Sequence, residues 1–456
     1  MRPILECHEA GGGAAVAIPA GLRHAARVGL AAFVLGAAGL GAGATAAADE
    51  APLKLGIVTF LSGPAAGPFG IPAADAARLI VDAINEGALP APYDSPGIAG
   101  VPIEAIVIDE AGGTTKQVTE FRNLALRRGV DAVVGYISSG SCLGVAPVAE
   151  ELKLLTILFE CGTPRIFEER AYRYVFRTRA HGTMDGVAAA RYVDDRISDL
   201  RTYAGINQNY AWGQDSWRDF ALAMAALDGT RTVTTAQFPK LFAGQYNAEI
   251  SALMVNSADV VHTSLWGGDL ESFLLQAGAR GLPERAALVL TTGEHLMYSF
   301  AGQMPEGVIL GARGPYGDFA RPTPLNAWFR DAYLGAFATP PVFPAYDMAT
   351  AILGLKVATE KAAAAAGGTG RPEVEAVIDA FEYLDYEAFG TTVRMPLGGG
   401  HQAVTETAYG RLTTDPETGA PRLIDVTRYP ADCVNPPAGT TSVAWIQAGM
   451  PGARCE

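Results

Sequence analysis

The chain has 456 residues, 49% of them hydrophobic and 18% charged, with a formal net charge of −14 at pH 7. That length supplies two or three domains of ordinary size. So acidic a composition argues against a nucleic-acid partner, because neutralising phosphates needs clustered Lys and Arg.

The N-terminal stretch has the three-part layout of a secretory signal. Arg23, His24 and Arg27 form a basic flank, Val28 to Leu40 is an apolar run, and Ala44 to Ala48 offers small residues for cleavage. The apolar run is too short for a membrane span, and no later segment is apolar for long enough. Residues 1–48 are therefore expected to be removed, with cleavage after Ala48. No cysteine stands at that point, so a lipid-anchored N-terminus is not indicated. The mature chain is expected to be soluble and periplasmic or extracellular.

After the leader the pattern alternates strand and helix. Leu55–Phe60 reads as a strand running into the Ser-Gly-Pro turn at Ser62, followed by a helix over Ala73–Asn85 and a strand over Ile103–Ile108. Thr115–Arg128 is an amphipathic helix with Val118, Phe121, Leu124 and Ala125 on one face and Gly129 ending it. Ala132–Gly135 is a short buried strand, Ser141–Leu152 a helix, and Leu154–Phe159 another strand. A second round follows, with strands near Thr202–Ile206, Val233–Phe238, Val260–Ser264 and Ala287–Thr291. Helices over Asp215–Leu227, Tyr246–Asn256 and Leu270–Ala279 separate them. Apolar strands alternating with helices imply parallel sheets covered on both faces, here two in series and hence two lobes. Helices over Asn326–Phe337 and Tyr346–Ala366 are expected to return to the first lobe. From Thr391 the composition turns to Gly, Pro and Thr and reads as irregular or β.

Of the five cysteines, Cys7 lies in the leader, leaving Cys142, Cys161, Cys433 and Cys455. An even number in an exported chain suggests disulfides, and pairing Cys142–Cys161 and Cys433–Cys455 keeps each partner close in sequence. Neither pair has the C-x-x-C spacing of a metal or redox site.

The ordered pieces KLGIVTFLSGPAAGPFG (from Lys54), VDAVVGYISSGSCLGVAPVAEELKLLTI (from Val130), YVFRTRAHGT (from Tyr174) and NQNYAWGQDSW (from Asn207) resemble the type I periplasmic-binding-protein superfamily. The likeness is to the leucine/isoleucine/valine- and amide-binding group that serves ABC importers, and it runs from about Leu53 to Lys361. It implies an α/β fold of two lobes, each a mostly parallel sheet flanked by helices, joined by a multi-strand hinge. Segments 49–176 and 316–390 would build the first lobe. Segments 177–315 and 391–456 would build the second, the last ending in an irregular tail.

In open parallel sheets ligands bind beyond the carboxyl ends of the strands. Tyr136, Ser138, Ser139, Gly140 and Ser141 follow a strand and open a helix, so their N–H groups and hydroxyls offer an anion cradle for a carboxylate or carboxamide. The alternative is that these serines only cap the helix. Cys161, Gly162 and Thr163 follow the next strand and should border the same pocket. The resemblance implies that Thr163 holds ligand there. Glu160 departs from the family pattern and could pair with Arg165 or Arg177, and Arg177 reads as structural. From the second lobe, Tyr210 and Trp212 fit the family's aromatic position and Trp266 follows a strand. A ring there can cover an apolar group or a cation, with core packing as the competing reading, above all for Trp212. Glu294 sits where amino-acid-binding relatives place an acid that pairs with the ligand ammonium. Without that role, amides, urea-like molecules or aromatic carboxylates become the better candidates.

Catalysis gains little support. The chain has no G-x-S-x-G elbow, no H-E-x-x-H and no P-loop. His181, His262, His295 and His401 show no metal-pair spacing, and Gly398–Gly400 lacks the strand-then-helix setting of a dinucleotide site. The expectation is a monomeric, cofactor-free and metal-free binding protein. It would take a small amino acid, amide or aromatic carboxylate and dock on an ABC permease. An exported sensor signalling to a membrane receptor is the alternative, and a hydrolase built on Ser139 the remote one.

Overall fold

The computed structural model describes residues 51–456, so the expected leader over 1–48 lies outside the described residues. In chain order the strands are β1 (Leu53–Thr59), β2 (Ile103–Asp109), β3 (Ala132–Gly135), β4 (Leu155–Leu158) and β5 (Val175–Arg177). Then come β6 (Thr202–Ile206), β7 (Thr232–Gln237), β8 (Val260–Thr263), β9 (Ala287–Leu290) and β10 (Ile309–Gly311). The last are β11 (Asp385–Ala388), β12 (Thr391–Leu397), β13 (Gln402–Val404), β14 (Thr407–Thr414) and β15 (Pro421–Tyr429).

They form two sheets. The first has eight strands in the order β11-β12-β13-β5-β4-β3-β1-β2, the second seven in the order β15-β14-β10-β9-β8-β6-β7. In each sheet the first five strands in chain order run parallel; the later strands pair antiparallel among themselves, joining the first sheet through a parallel β13–β5 pairing and the second through an antiparallel β14–β10 pairing. Strands β3, β4, β8 and β10 are buried along their whole length. Helices cover both faces of such strands, and the unbroken apolar runs are the sequence sign of it.

Local signals end the elements where expected. The helix Gly113–Asn123 runs on through a wider turn, Leu124–Arg128, and stops at Gly129, whose φ of 61° lies in the left-handed region that glycine adopts freely. The long helix Phe343–Ala365 packs against Ile71–Glu86 of the first lobe, as expected.

The chain crosses between the sheets three times, after β5, after β10 and after β13. The third crossing comes after Val404, later than the boundary at 391 expected from composition. The reason is a hairpin through Gly398, Gly399 and Gly400, all with positive φ, which folds β13 back on β12. Gln402 of β13 then pairs with Arg177 of β5, so both strands extend the first sheet. Beyond β15 the tail packs on the second lobe, where Trp445, Ile446, Cys433 and Val434 share a core with Tyr192, Phe220 and Met224. Both expected disulfides are present, Cys142–Cys161 and Cys433–Cys455.

Candidate functional site

Each sheet reverses its winding once, between β1 and β3 in the first and between β6 and β8 in the second. The carboxyl ends of strands at such a reversal leave a crevice. Phe60 follows β1 and Tyr136–Ser141 follow β3, while Asn207–Tyr210 follow β6 and Ser264–Trp266 follow β8. The two crevices face each other across the gap between the lobes and hold two adjoining cavities that share Tyr210.

The outer cavity measures about 430 Å³ and is lined mainly by apolar surface. Phe60, Pro64, Ser138, Gly140 and Ser141 come from the first lobe, Leu241 and Phe242 from the second. Glu110 forms part of its wall. The inner cavity, about 10 Å³, has room for roughly one water. It lies between Phe69, Ile137, Glu160 and Gly162 of the first lobe and Tyr210, Trp212, Trp266 and Thr292 of the second, with Arg313 at the crossover.

The walls are strongly aromatic. Trp266 packs edge-on against Phe69 and Phe242 at centroid distances of 5.2 and 5.5 Å, and Phe60 lies 5.8 Å away. The indole N–H of Trp266 donates to the Tyr210 hydroxyl (2.9 Å), and that of Trp212 to the Ser264 carbonyl (2.9 Å). With both indoles satisfied, the rings are held at fixed angles and present π faces. His295 lies behind Phe69, accepting at Nε2 from the Gly267 amide while Nδ1–H donates to the Thr292 carbonyl. Burial holds its pKa down at about 4, so the ring is neutral.

The loop after β3 is already partly occupied. Glu110 accepts from the amides of Ile137 (2.7 Å) and Ser138 (2.8 Å), so one donor of the expected anion cradle, Ser138, carries the protein's own carboxyl. Burial pushes that carboxyl up to about 8, against the pull of the two amides. Ser139 Oγ accepts from the amides of Gly162 and Thr163, both at 3.2 Å, tying the two loops together. The Thr163 hydroxyl donates to Asp215 of the second lobe at 2.6 Å. Tyr136 has a φ of 93°, rare for a residue with a side chain, and its ring lies in the core beneath the helix Ser139–Leu152. Cys161 is likewise in that core through its disulfide.

Of the residues singled out from sequence, Ser138, Gly140, Ser141, Gly162, Tyr210 and Trp266 line the two cavities. Ser139 and Thr163 stand behind them as positioning groups. Tyr136, Cys161 and Glu294 line neither. Glu294 is fully buried, with Oε2 accepting from the Phe343 amide (2.8 Å) and Oε1 beside Gly317. Burial raises its pKa to about 8.

Glu160 pairs with neither Arg165 nor Arg177. Its partners are Arg313 and Arg179, both buried at the crossings, because Arg165 turns outward to Asp215. Arg177 donates to the carbonyls of Cys161 and Thr163 and to Gln402, bracing the loop after β4. Arg313 was not foreseen. It follows β10 in a Gly-flanked loop with no periodic signal, and a lone Arg directly after an apolar strand is the one cue the sequence carries. Its Nε donates to Asp185 at 3.1 Å, its Nη1 to the Glu160 carboxylate and carbonyl, and its guanidinium lies 4.2 Å from the Trp212 ring centroid. A Cβ on Gly162 would overlap both Arg313 Nη2 and the Trp212 ring, so only glycine fits there. Among the described residues no group of three or more His, Cys, Asp or Glu could hold a metal ion.

The sequence matches the family described as periplasmic binding protein over residues 52–417. The leucine-, isoleucine-, valine-, threonine- and alanine-binding protein of Pseudomonas aeruginosa is 26% identical over 300 residues, 64% of this chain and 75% of that protein. The leucine-specific-binding protein of Salmonella typhimurium is 25% identical over 282 residues, 61% of this chain and 71% of that one. Among solved structures, an ABC transporter solute-binding protein from Rhodopseudomonas palustris in complex with 3,4-dihydroxybenzoic acid superposes with a TM-score of 0.70. It is 18% identical, and the match covers 83% of this chain and 98% of the other. An amino acid ABC transporter substrate-binding protein from Pseudomonas fluorescens gives a TM-score of 0.68 at 18% identity, covering 83% and 96%. With two reversed sheets facing one cleft, and a match running from before β1 to the turn after β14, the chain belongs to the periplasmic binding protein family.

Proposed function

We propose that the mature chain is the extracytoplasmic solute-binding component of an ABC importer. It captures a small amino-acid-like or related carboxylate or amide ligand between its lobes and presents the closed form to a membrane permease. The observation that carries this reading is the pair of cavities whose walls come from both lobes, so that a ligand there gains contacts only when the lobes meet. Such differential contact is what shifts a hinge equilibrium toward closure.

The relatives support the same reading. The Pseudomonas aeruginosa and Salmonella typhimurium proteins are named for branched-chain and small amino acids, and the Rhodopseudomonas palustris structure holds a dihydroxybenzoic acid. The rings of Phe60, Phe69, Tyr210, Trp212, Phe242 and Trp266 favour a flat or apolar ligand body. The reading involves binding without chemistry on the ligand. Ser139, the hydroxyl a hydrolase would activate, is engaged by two amides rather than by a histidine.

Because Trp212 and Trp266 line the cleft, the test is a fluorescence titration. Protein stripped of carried-over ligand by partial unfolding and dialysis is titrated with L-leucine, L-phenylalanine, 4-hydroxybenzoate and short amides. Saturable quenching or enhancement by at least one class is expected. A flat response to every class, with no ligand released on stripping, would overturn the reading.

A further inference from the structure

Resting on that reading, we infer that Arg313 is the ligand-carboxylate anchor of the cleft, meeting the anionic end of the solute through its free Nη2 edge. Arg313 is 4% exposed, and Nη2 has no hydrogen-bond partner although Nε and Nη1 are fully engaged. A buried guanidinium edge left without an acceptor is costly, and an acceptor supplied by a ligand removes that cost. Nη2 lies against Gly162, in the wall of the inner cavity. Arg313 is also the one cationic side chain among the residues lining the two cavities.

The competing anion site is partly taken, since Glu110 occupies the amide of Ser138, one of the donors suggested by sequence, together with that of Ile137. Arg177, Arg179 and Arg313 approach one another around Glu160, Asp185 and Asp347, and none of these groups supplies a hydrogen-bond acceptor to Arg313 Nη2.

Trp212 completes the anchor. It stacks on the guanidinium and holds its plane, and its indole is itself fixed by Ser264. As the structure stands, the inner cavity is too small for a carboxylate. Seating one requires the Tyr210 and Trp212 rings to move aside within the closed cleft, and the ligand body then lies toward the outer cavity beside Phe60, Phe242 and Trp266. The ligand class is therefore a small organic carboxylate with a flat or apolar body, either a simple arenecarboxylate or the carboxylate end of an amino acid.

The experiment is calorimetric titration of the stripped wild-type protein with matched pairs: 4-hydroxybenzoate and 4-hydroxybenzamide, L-leucine and L-leucinamide, L-phenylalanine and L-phenylalaninamide. The expected result is binding of at least one carboxylate with its amide weaker by about tenfold or more, the loss of a charged hydrogen bond. Arenecarboxylate binding without amino-acid binding, or the reverse, identifies the source, and either supports the inference. Arg313→Lys keeps the charge but loses the planar fork, and is expected to weaken the same carboxylate by a similar factor while the melting temperature of the unliganded protein is followed as a control. An amide bound as tightly as its carboxylate, or unchanged carboxylate affinity in Arg313→Lys, overturns the anchor and leaves the binding-protein reading intact. Wild-type protein that binds no member of any pair overturns both.

Discussion

Asp215 offers the sharpest handle on closure. It lies on the second-lobe helix Ala211–Leu227 and accepts from three donors of the first lobe. These are the Thr163 hydroxyl at 2.6 Å, Arg165 Nε at 3.1 Å and Arg165 Nη2 at 2.8 Å. Opening the lobes breaks all three and returns each group to water. A hydrogen bond nets about 0.5–1.5 kcal/mol on such an exchange, and the half-exposed Arg165 counts at the low end, so the latch favours closure by about 2 kcal/mol. That is about a 30-fold change in the closed-to-open ratio. Asp215→Ala should therefore weaken ligand binding by about 30-fold, mostly through faster dissociation, since a ligand is held only as long as the closed form persists. Stopped-flow tryptophan fluorescence reads the dissociation rate directly. Arg218 keeps its bond to Asp219 in the variant, so the helix itself should hold. A dissociation rate equal to that of the wild type would refute the latch.

Other outcomes follow from the same structure. Glu294 has its pKa raised from 4.5 to about 8 by burial, so the folded protein keeps a proton that the unfolded chain releases. Its stabilising contribution is whole below the unfolded value and is lost as pH rises through the folded one. The melting temperature of Glu294→Gln should accordingly fall less steeply than that of the wild type between about pH 5 and pH 9, and parallel curves would contradict the assignment. Ser139→Ala removes the acceptor of two buried amides and should cost about 1–3 kcal/mol in a denaturant melt, whereas a neutral substitution would show that the two loops do not need the tie. The Cys433–Cys455 bond closes a 22-residue separation, so Cys433→Ala with Cys455→Ala should lower stability by about 3 kcal/mol. Trypsin should then trim the tail beyond β15 before the sheets, and uniform resistance would count against the staple.

The alternation of apolar strands with helices made both parallel sheets legible, because burial on two faces leaves continuous apolar runs that local reading detects. The turn after β3 was legible for the same local reason, as a strand ending in Gly and Ser before a helix. What escaped depends on partners far apart in sequence. Arg313 meets Glu160 and Asp185 across 153 and 128 residues, and no spacing rule links them. Glu110 closes the amides of Ile137 and Ser138 from another loop, so a cradle that looks open in sequence is partly filled in the fold. Strands β12 and β13 join the first sheet through a pairing with β5 more than 200 residues earlier, and composition alone assigned them to the tail.

The central claim is capture by closure of two lobes over one cleft, and solution X-ray scattering tests it most directly. Ligand-stripped protein is measured alone and then with saturating concentrations of each carboxylate that binds in the titrations. The account predicts a smaller radius of gyration in the bound state, with the ligand-saturated profile fitting the closed structure described here. Saturating binding with an unchanged radius of gyration would contradict it.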